Sequence, residues 1–220
     1  MGKLVVFEGI AGSGKSTQFK LMCSRLAEQG EDFRNLTFPQ YSEPSSALIR
    51  MYLSGEFGSD PNSVNPYAAS SFFAVDRYAS YVKTWGEYYK SGGTIITDRY
   101  TTSNAIHQAS KLPQGQRQEY FRWLYDYEFK YMQLPEPDCV IYMSTPIEVS
   151  VRRMRLREQQ THTHADIHEQ DNSYLKKCFD CGLEAAEFYG WQKIDSVQDG
   201  KEKTVEQIHA EIYSIIENVL

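Results

Sequence analysis

Residues 3–16 read KLVVFEGIAGSGKS: an apolar run that breaks into glycine and closes on Lys15 and Ser16. The spacing Gly9-x-x-x-x-Gly14-Lys15-Ser16 is a complete phosphate-binding loop. LVVF at 4–7 is expected to be the buried strand before it. The helix after it carries Phe19, Leu21, Met22 and Leu26 and ends near Gly30. Glycines let the backbone turn its N–H groups around phosphate oxygens, and a helix N-terminus favours anions. Lys15 is expected to reach the β- and γ-phosphates of a nucleoside triphosphate, and Ser16 to hold Mg²⁺. By itself the loop leaves kinase, GTPase and ATPase open.

Outward from that loop, strand and helix signals alternate. Strands are expected at 32–39, 94–99, 138–144 and 191–195. Helices are expected at 45–53, 65–93, 114–134, from Thr145-Pro146-Ile147-Glu148 onward, from about 171 to 188, and at the C-terminus. The Thr145–Glu148 segment has a capping-box pattern. The alternation predicts an α/β fold, a mostly parallel sheet with helices on both faces. Neither a repeat nor a Pro- or Ser-rich linker divides the 220 residues, so one domain is expected over 1–220.

Composition narrows the partners. Lys and Arg number 23 against 29 Asp and Glu, a net charge of −6, which excludes a general nucleic-acid surface. MGKLVVFEG turns polar too quickly for a signal peptide, and Val6 breaks the myristoylation pattern that Gly2 invites. No apolar run reaches membrane-span length, so the expectation is a cytoplasmic protein with no membrane partner. Cys23, Cys139, Cys178 and Cys181 are then expected as reduced thiols.

Two further elements bear on the loop's chemistry. The strand TIITDR ends in Asp98-Arg99-Tyr100. An acid there can order Mg²⁺ and its waters, and an arginine can bridge donor and acceptor phosphates; the plain alternative is an Asp–Arg pair capping a loop. RRMRLR (152–157) places Arg153 and Arg157 on one helix face, and Arg152 and Arg155 on another. It is either a solvated face or an arginine-rich lid that closes over a triphosphate and excludes water, with EQQTHTHADIHEQD (158–171) as its tip.

At this point the sequence resembles the thymidylate kinase family, over nearly the whole chain. The resemblance rests on FEGIAGSGKSTQ (7–18), FPQY (38–41), SFFAVDRYAS (71–80), DRYTTSNAIHQ (98–108), the arginine lid around 152–171 and ADIHEQD (165–171). It implies a three-layer P-loop NTPase fold with a five-stranded parallel sheet, a homodimer, and transfer of the ATP γ-phosphoryl group to dTMP with Mg²⁺. ATP falls to Gly9, Ala11, Gly12, Ser13, Gly14, Lys15, Ser16 and Thr17, and Mg²⁺ to Ser16 and Asp98. The reaction centre falls to Lys15, Asp98, Arg99 and a lid arginine such as Arg153. The acceptor falls to Pro39, Phe73, Arg77, Arg99, Ser103, Asn104 and His107. Phe73 matches the aromatic that stacks on thymine, and Arg77, four residues on, the arginine that reads it. Arginine carries only donors and so favours the O4 acceptor of thymine over the N4 donor of cytosine. Taken alone, Phe73 could equally be core, with Phe72 and Tyr78 beside it, and Arg77 a surface partner of Asp76.

The pattern departs at Ala11, where many relatives carry an acid that engages the nucleotide sugar. Gln40 and Tyr41 stand where an arginine often holds the acceptor phosphate, leaving Arg99 for that task or Arg50 as a substitute. His107 stands where a tyrosine is common near the sugar 2′ position. Gly12 replaces an arginine that some relatives carry in the loop; the lid arginines Arg152, Arg153, Arg155 and Arg157 are expected in its stead. The competing readings are a kinase for another pyrimidine nucleotide or a deoxynucleoside, and a catalytically weak nucleotide-binding homologue. Cys178-x-x-Cys181 lacks a second pair for zinc. His162, His164 and His168 read as solvated lid histidines rather than metal ligands, and Asp166 and Glu169 align with acidic lid residues of the family.

Overall fold

The computed structural model describes residues 1–58, 60–161 and 172–220, without the side chains of Pro61, Arg157, Glu158, Gln160, Thr161 and Asn172. The lid tip with His162, His164, Asp166, His168 and Glu169, and the side chain of Arg157, therefore lie outside the described residues.

The chain runs through β1 (Lys3–Glu8), α1 (Lys15–Glu28), β2 (Phe33–Thr37), α2 (Ala47–Leu53), α3 (Pro66–Ser80), α4 (Gly86–Lys90) and β3 (Thr94–Asp98). It continues through α5 (Thr102–His107), α6 (Gln114–Tyr125), β4 (Cys139–Ser144), α7 (Ile147–Thr161), α8 (Asn172–Tyr189), β5 (Gln192–Asp195), β6 (Val197–Gln198), β7 (Lys201–Glu202) and α9 (Val205–Ile216). Five strands form one sheet in the order β2-β3-β1-β4-β5, every pair parallel.

β1 alternates between two cores. Val5 and Phe7 pack with Met22 and Leu26 of α1 and Ile208, Ile212 and Ile216 of α9. Leu4 and Val6 face the opposite way, toward Trp85, Tyr89 and Tyr100. A strand buried on both faces reads as a continuous apolar run, and this is why LVVF was legible as the centre of an α/β sheet.

The expected helix at 65–93 is a rod whose middle, Tyr81–Trp85, is a wide π-helical turn between α3 and α4. Trp85 turns inward there with no exposure. Gly86 follows because a Cβ would stand 2.6 Å from the Tyr81 carbonyl oxygen. α6 likewise runs into a π-helical turn, Asp126–Tyr131, which sends Glu128 into the interior. There Glu128 accepts from Arg77 Nε at 2.7 Å and Nη2 at 2.5 Å, and from Asn104 Nδ2 at 3.2 Å. Arg77 is thus no partner of Asp76, which instead accepts from the Gln40 amide and the Ser45 hydroxyl.

Two elements escaped the sequence reading, α5 and the β6–β7 hairpin. The capping-box pattern at Thr145 also has another outcome: its hydroxyl donates to the Ser13 carbonyl at 3.0 Å, fastening the phosphate loop to the start of α7. A capping box with both bonds in place forms at Thr204 and Gln207, opening α9.

The Arg77–Glu128 pair is an ion pair without solvent, so removing one partner strands a buried charge. Arg77→Met is expected to lower unfolding stability by about 3–5 kcal/mol in urea titrations, and Arg77→Met with Glu128→Leu to recover most of that. A single variant within about 1 kcal/mol of the parent would contradict the pairing.

Candidate active site

β1 and β3 are neighbours with Phe7 opposite Asp98, so the ends of both strands open at one edge of the sheet. The Arg99 amide continues the ladder to the Phe7 carbonyl at 3.0 Å. The strand order reverses about β1, and crevices at the carboxyl ends of such strands are where parallel sheets bind ligands.

From Gly9 to Gly14 the chain wraps a cavity lined by Ala11, Gly12, Ser13, Lys15, Ser16 and Thr17, with Lys20, Arg99 and Arg153. Gly14 caps α1 at φ 90°, and no side chain caps the helix or places an acid in its first turn. The N-terminal amides of α1 are thus presented to the cavity without an acid from the helix's own first turn. Gly12 has φ 76°, and a Cβ there would stand 2.3 Å from the Ser150 carbonyl oxygen of α7. A side chain at 12, arginine included, is therefore excluded by the way α7 seats on the loop.

Lys15 is 5 % exposed and pairs with Asp98 Oδ1. Burial above all, then the Arg99 charge, pull its ammonium down to about 8, against the opposing pull of Asp98. Ser16 Oγ stands 3.2 Å from Asp98 Oδ2. Two hard oxygen donors side by side at the mouth of an anion cradle fit Mg²⁺, whose remaining ligands are ordinarily water and phosphate. Among the described residues no group of three or more His, Cys, Asp or Glu side chains could hold a metal. Cys178 and Cys181 are buried free thiols, and burial pushes Cys178 up to about 11.

A second cleft adjoins the first. Pro39, Phe73, Arg77, Arg99, Ser103, Asn104 and His107 all line it, with Phe38, Tyr41, Leu53, Tyr100 and Leu175. Ala11 and Arg99 belong to both cavities. Both Phe73 and Phe72 meet the edge of Tyr52, at 6.3 and 6.5 Å, but Phe73 lines the cleft whereas Phe72 also packs on Phe57 at 5.7 Å and Tyr78 is exposed. Arg50 is not in the cleft: its Nη1 donates to the Tyr41 and Glu43 carbonyls at 2.8 and 3.2 Å and to Ser46 Oγ, stapling the loop before α2. Gln40 also folds back, onto the Thr37 carbonyl at 2.8 Å.

Sequence reasoning missed two acids. Glu8, with no exposure, accepts from the Gly9 amide at 2.9 Å, Thr102 Oγ1 at 2.9 Å and Ser103 Oγ at 2.6 Å, and lies 3.6 Å from Arg99 Nη1. Its signal was an acid ending an apolar strand. Arg99 itself takes φ 69°, a conformation that costs a non-glycine residue about 1–3 kcal/mol and recurs at functional sites. The second is Glu202 of the hairpin, which pairs with Arg152 and, at 3.0 Å, with Arg153. The hydrogen bond from Arg152 foremost, and that from Arg153, hold its carboxyl below the usual range. The signal was Asp199-Gly200, both at positive φ, as a two-residue hairpin turn requires. Arg153 also donates to the Ser13 carbonyl at 3.3 Å and so reaches the loop, while Arg155 is exposed.

Comparison with known proteins agrees with this geometry. The family model described as thymidylate kinase matches residues 7–212. A thymidylate kinase of Mycobacterium tuberculosis (strain ATCC 25618 / H37Rv) is 32% identical over 170 residues, covering 76% of this chain and 78% of that protein. A probable thymidylate kinase of Methanocaldococcus jannaschii is 31% identical over 219 residues, covering 98% and 96%. The solved thymidylate kinase of Candida albicans superposes with a TM-score of 0.72 at 22% identity, over 99% of this chain and 92% of that one, a likeness of fold. With its phosphate loop and DRY segment joined at one sheet edge, this chain belongs to the thymidylate kinase family.

Proposed function

We propose that the chain transfers the γ-phosphoryl group of ATP to dTMP, giving ADP and dTDP, as a cytoplasmic homodimer whose 220 residues form one kinase domain with an arginine lid around 152–171. The observation that carries this reading is that Arg99 lines both the phosphate-loop cavity and the cleft beside it. A guanidinium between two anion sites can hold donor and acceptor phosphates together and stabilise the charge that develops between them. The loop amides and Lys15 bind and orient the triphosphate. Mg²⁺, held by Ser16 and Asp98, would neutralise charge on the β- and γ-phosphates. An acceptor phosphate is already anionic, so the residues are asked for positioning and electrostatics rather than a strong base.

In the acceptor cleft Phe73 offers a stacking face. Arg77 is oriented by Glu128, with Nη1 3.4 Å from the Tyr100 carbonyl; its remaining donors suit the O4 of thymine. With Arg50 and Gln40 engaged elsewhere, the acceptor phosphate falls to Arg99. Ala11 stands where both cavities meet and offers the sugar no acid, so a loosened grip on the 3′-hydroxyl is part of the proposal. The dimer is supported by Val75, Tyr78 and Val82, spaced along one rod and 48%, 45% and 60% exposed, with Leu48 exposed on α2, which packs on α3.

ADP formation with Mg²⁺-ATP and each of dTMP, dUMP, UMP, dCMP and thymidine tests the acceptor; dTMP is expected to lead, and Lys15→Ala and Arg99→Ala to lose at least about a hundredfold in kcat. A lead by thymidine or UMP would overturn the acceptor, and full activity of either variant the site. Because free Lys15 loses its proton near pH 8, kcat/KM for ATP is expected to fall as pH rises through that value. A profile flat to about pH 10, where an ordinary lysine titrates, would refute the buried ammonium's role. Sedimentation is expected to show a dimer that Val75→Lys with Val82→Lys converts to monomer; an unshifted parent monomer would remove the dimer from the proposal.

A further inference from the structure

His107 lies on α5 with one ring nitrogen toward Arg99 and the other toward α8. Nε2 is 3.1 Å from Arg99 Nη1, and Nδ1 is 3.5 Å from Cys178 Sγ. The ring lies nearly parallel to that of Tyr174, 24° off, at 6.4 Å. A guanidinium nitrogen only donates, so a bond from Arg99 requires a bare lone pair on Nε2 and hence the proton on Nδ1. The neighbours agree with that assignment, donor by donor. Ser110 Oγ donates its hydrogen to the His107 carbonyl at 2.9 Å. It can then accept from the Cys178 thiol at 3.4 Å, which leaves a sulfur lone pair for His107 Nδ1–H. The hydrogens on His107 Nδ1, the Cys178 thiol and Ser110 Oγ are thereby each given one acceptor.

We infer that His107 is a positioning residue for Arg99: a neutral imidazole, held as its Nδ1–H tautomer by Cys178 of α8, whose Nε2 fixes the guanidinium between the two cavities. This rests on the kinase reading insofar as Arg99 is the group positioned. It also gives the buried Cys178 a task other than metal binding. Arg99 is also steadied by Glu8 and Ser103, at 3.6 and 3.4 Å from the same Nη1. A second proton on His107 would remove the acceptor and place two cations in contact, so the device works only while the imidazole is neutral. Among the described residues, the titratable and charged groups around it include Arg99 after β3, Glu8 at the end of β1, Tyr174 and Cys178 on α8, and Lys111, which is bonded to Tyr52 of α2 at 2.7 Å.

Two measurements on the full-length chain test this. In ¹⁵N-histidine spectra at neutral pH without substrate, His107 is expected to carry its proton on Nδ1 with a pyridine-type Nε2, and Arg99→Ala to perturb that Nε2 signal. A proton on Nε2 would overturn the inference. In kinetics, His107→Phe is expected to reduce kcat/KM for dTMP roughly tenfold to a hundredfold, the range for a lost bond to a charged group. His107→Gln, which can accept from Arg99 and donate to sulfur without titrating, is expected to restore most of it. The ratio of parent to His107→Gln cancels the ionisation of the substrate phosphates, and is expected to fall toward acid pH, where a second proton on the imidazole would take the acceptor away from Arg99. A pH-independent ratio, or His107→Phe equal to His107→Gln, would overturn the inference. Cys178→Ala is expected to lose activity that Cys178→Ser regains, since an oxygen can again accept Nδ1–H. An Nδ1-protonated His107 in a chain that forms no ADP would uphold the contact and overturn the kinase reading instead.

Discussion

A carboxyl group with no access to water organises this site. Glu8 ends β1, and a buried acid costs several kcal/mol unless its oxygens are bonded and its charge paired. Its partners come from two places distant in sequence: the Gly9 amide at the start of the phosphate loop, and Thr102, Ser103 and Arg99 after β3. Satisfying that one group therefore locks the loop to the DRY segment. The same act draws Arg99 toward the ridge where the two cavities meet, and the positive φ at Arg99 is held against its local cost by this network.

The acceptor side depends on a second buried charge. The π-helical turn after α6 carries Glu128 inward, and Arg77 and Asn104 meet it from α3 and α5. Three elements are thereby tied at the floor of the cleft by one carboxylate. Arg77 is held in place because its Nε and Nη2 edge is committed to Glu128, and the base-reading role proposed for it asks for such a preorganised donor. The wide turn has a functional consequence here, since a regular α-helix would not present the same side chain at that angle.

Around this centre the start of α7 is tethered rather than loose. Arg152 and Arg153 share Glu202 of the small hairpin, and Arg153 also reaches the loop carbonyl of Ser13. The hairpin follows β5 and the arginines lie on α7, so α7 is linked to the C-terminal part of the sheet. Gly12, pressed against the Ser150 carbonyl, belongs to the same arrangement: α7 lies too close for a side chain in the loop, and the cationic groups come from α7 itself.

Much of the fold was legible because its signals are local. A doubly buried strand must be apolar throughout, a phosphate loop must be glycine-rich, and LVVF followed by Gly9 to Ser16 satisfies both within one short segment. The alternation of strand and helix patterns determined the parallel sheet, and the DRY segment and the Phe73–Arg77 pair were visible as motifs. What the sequence could not determine was which polar groups meet. Nothing local in Glu128 shows that it lies under Arg77, nor in Glu202 that it holds two arginines. Arg50 and Arg77 look alike as sequence, yet one staples a surface loop and the other is buried at the cleft. The outcomes at Glu128 and Glu202 depend on contacts between residues 49 to 51 positions apart. Only the packed sheet brings them together, because a charge removed from water must find its partner wherever the fold places one.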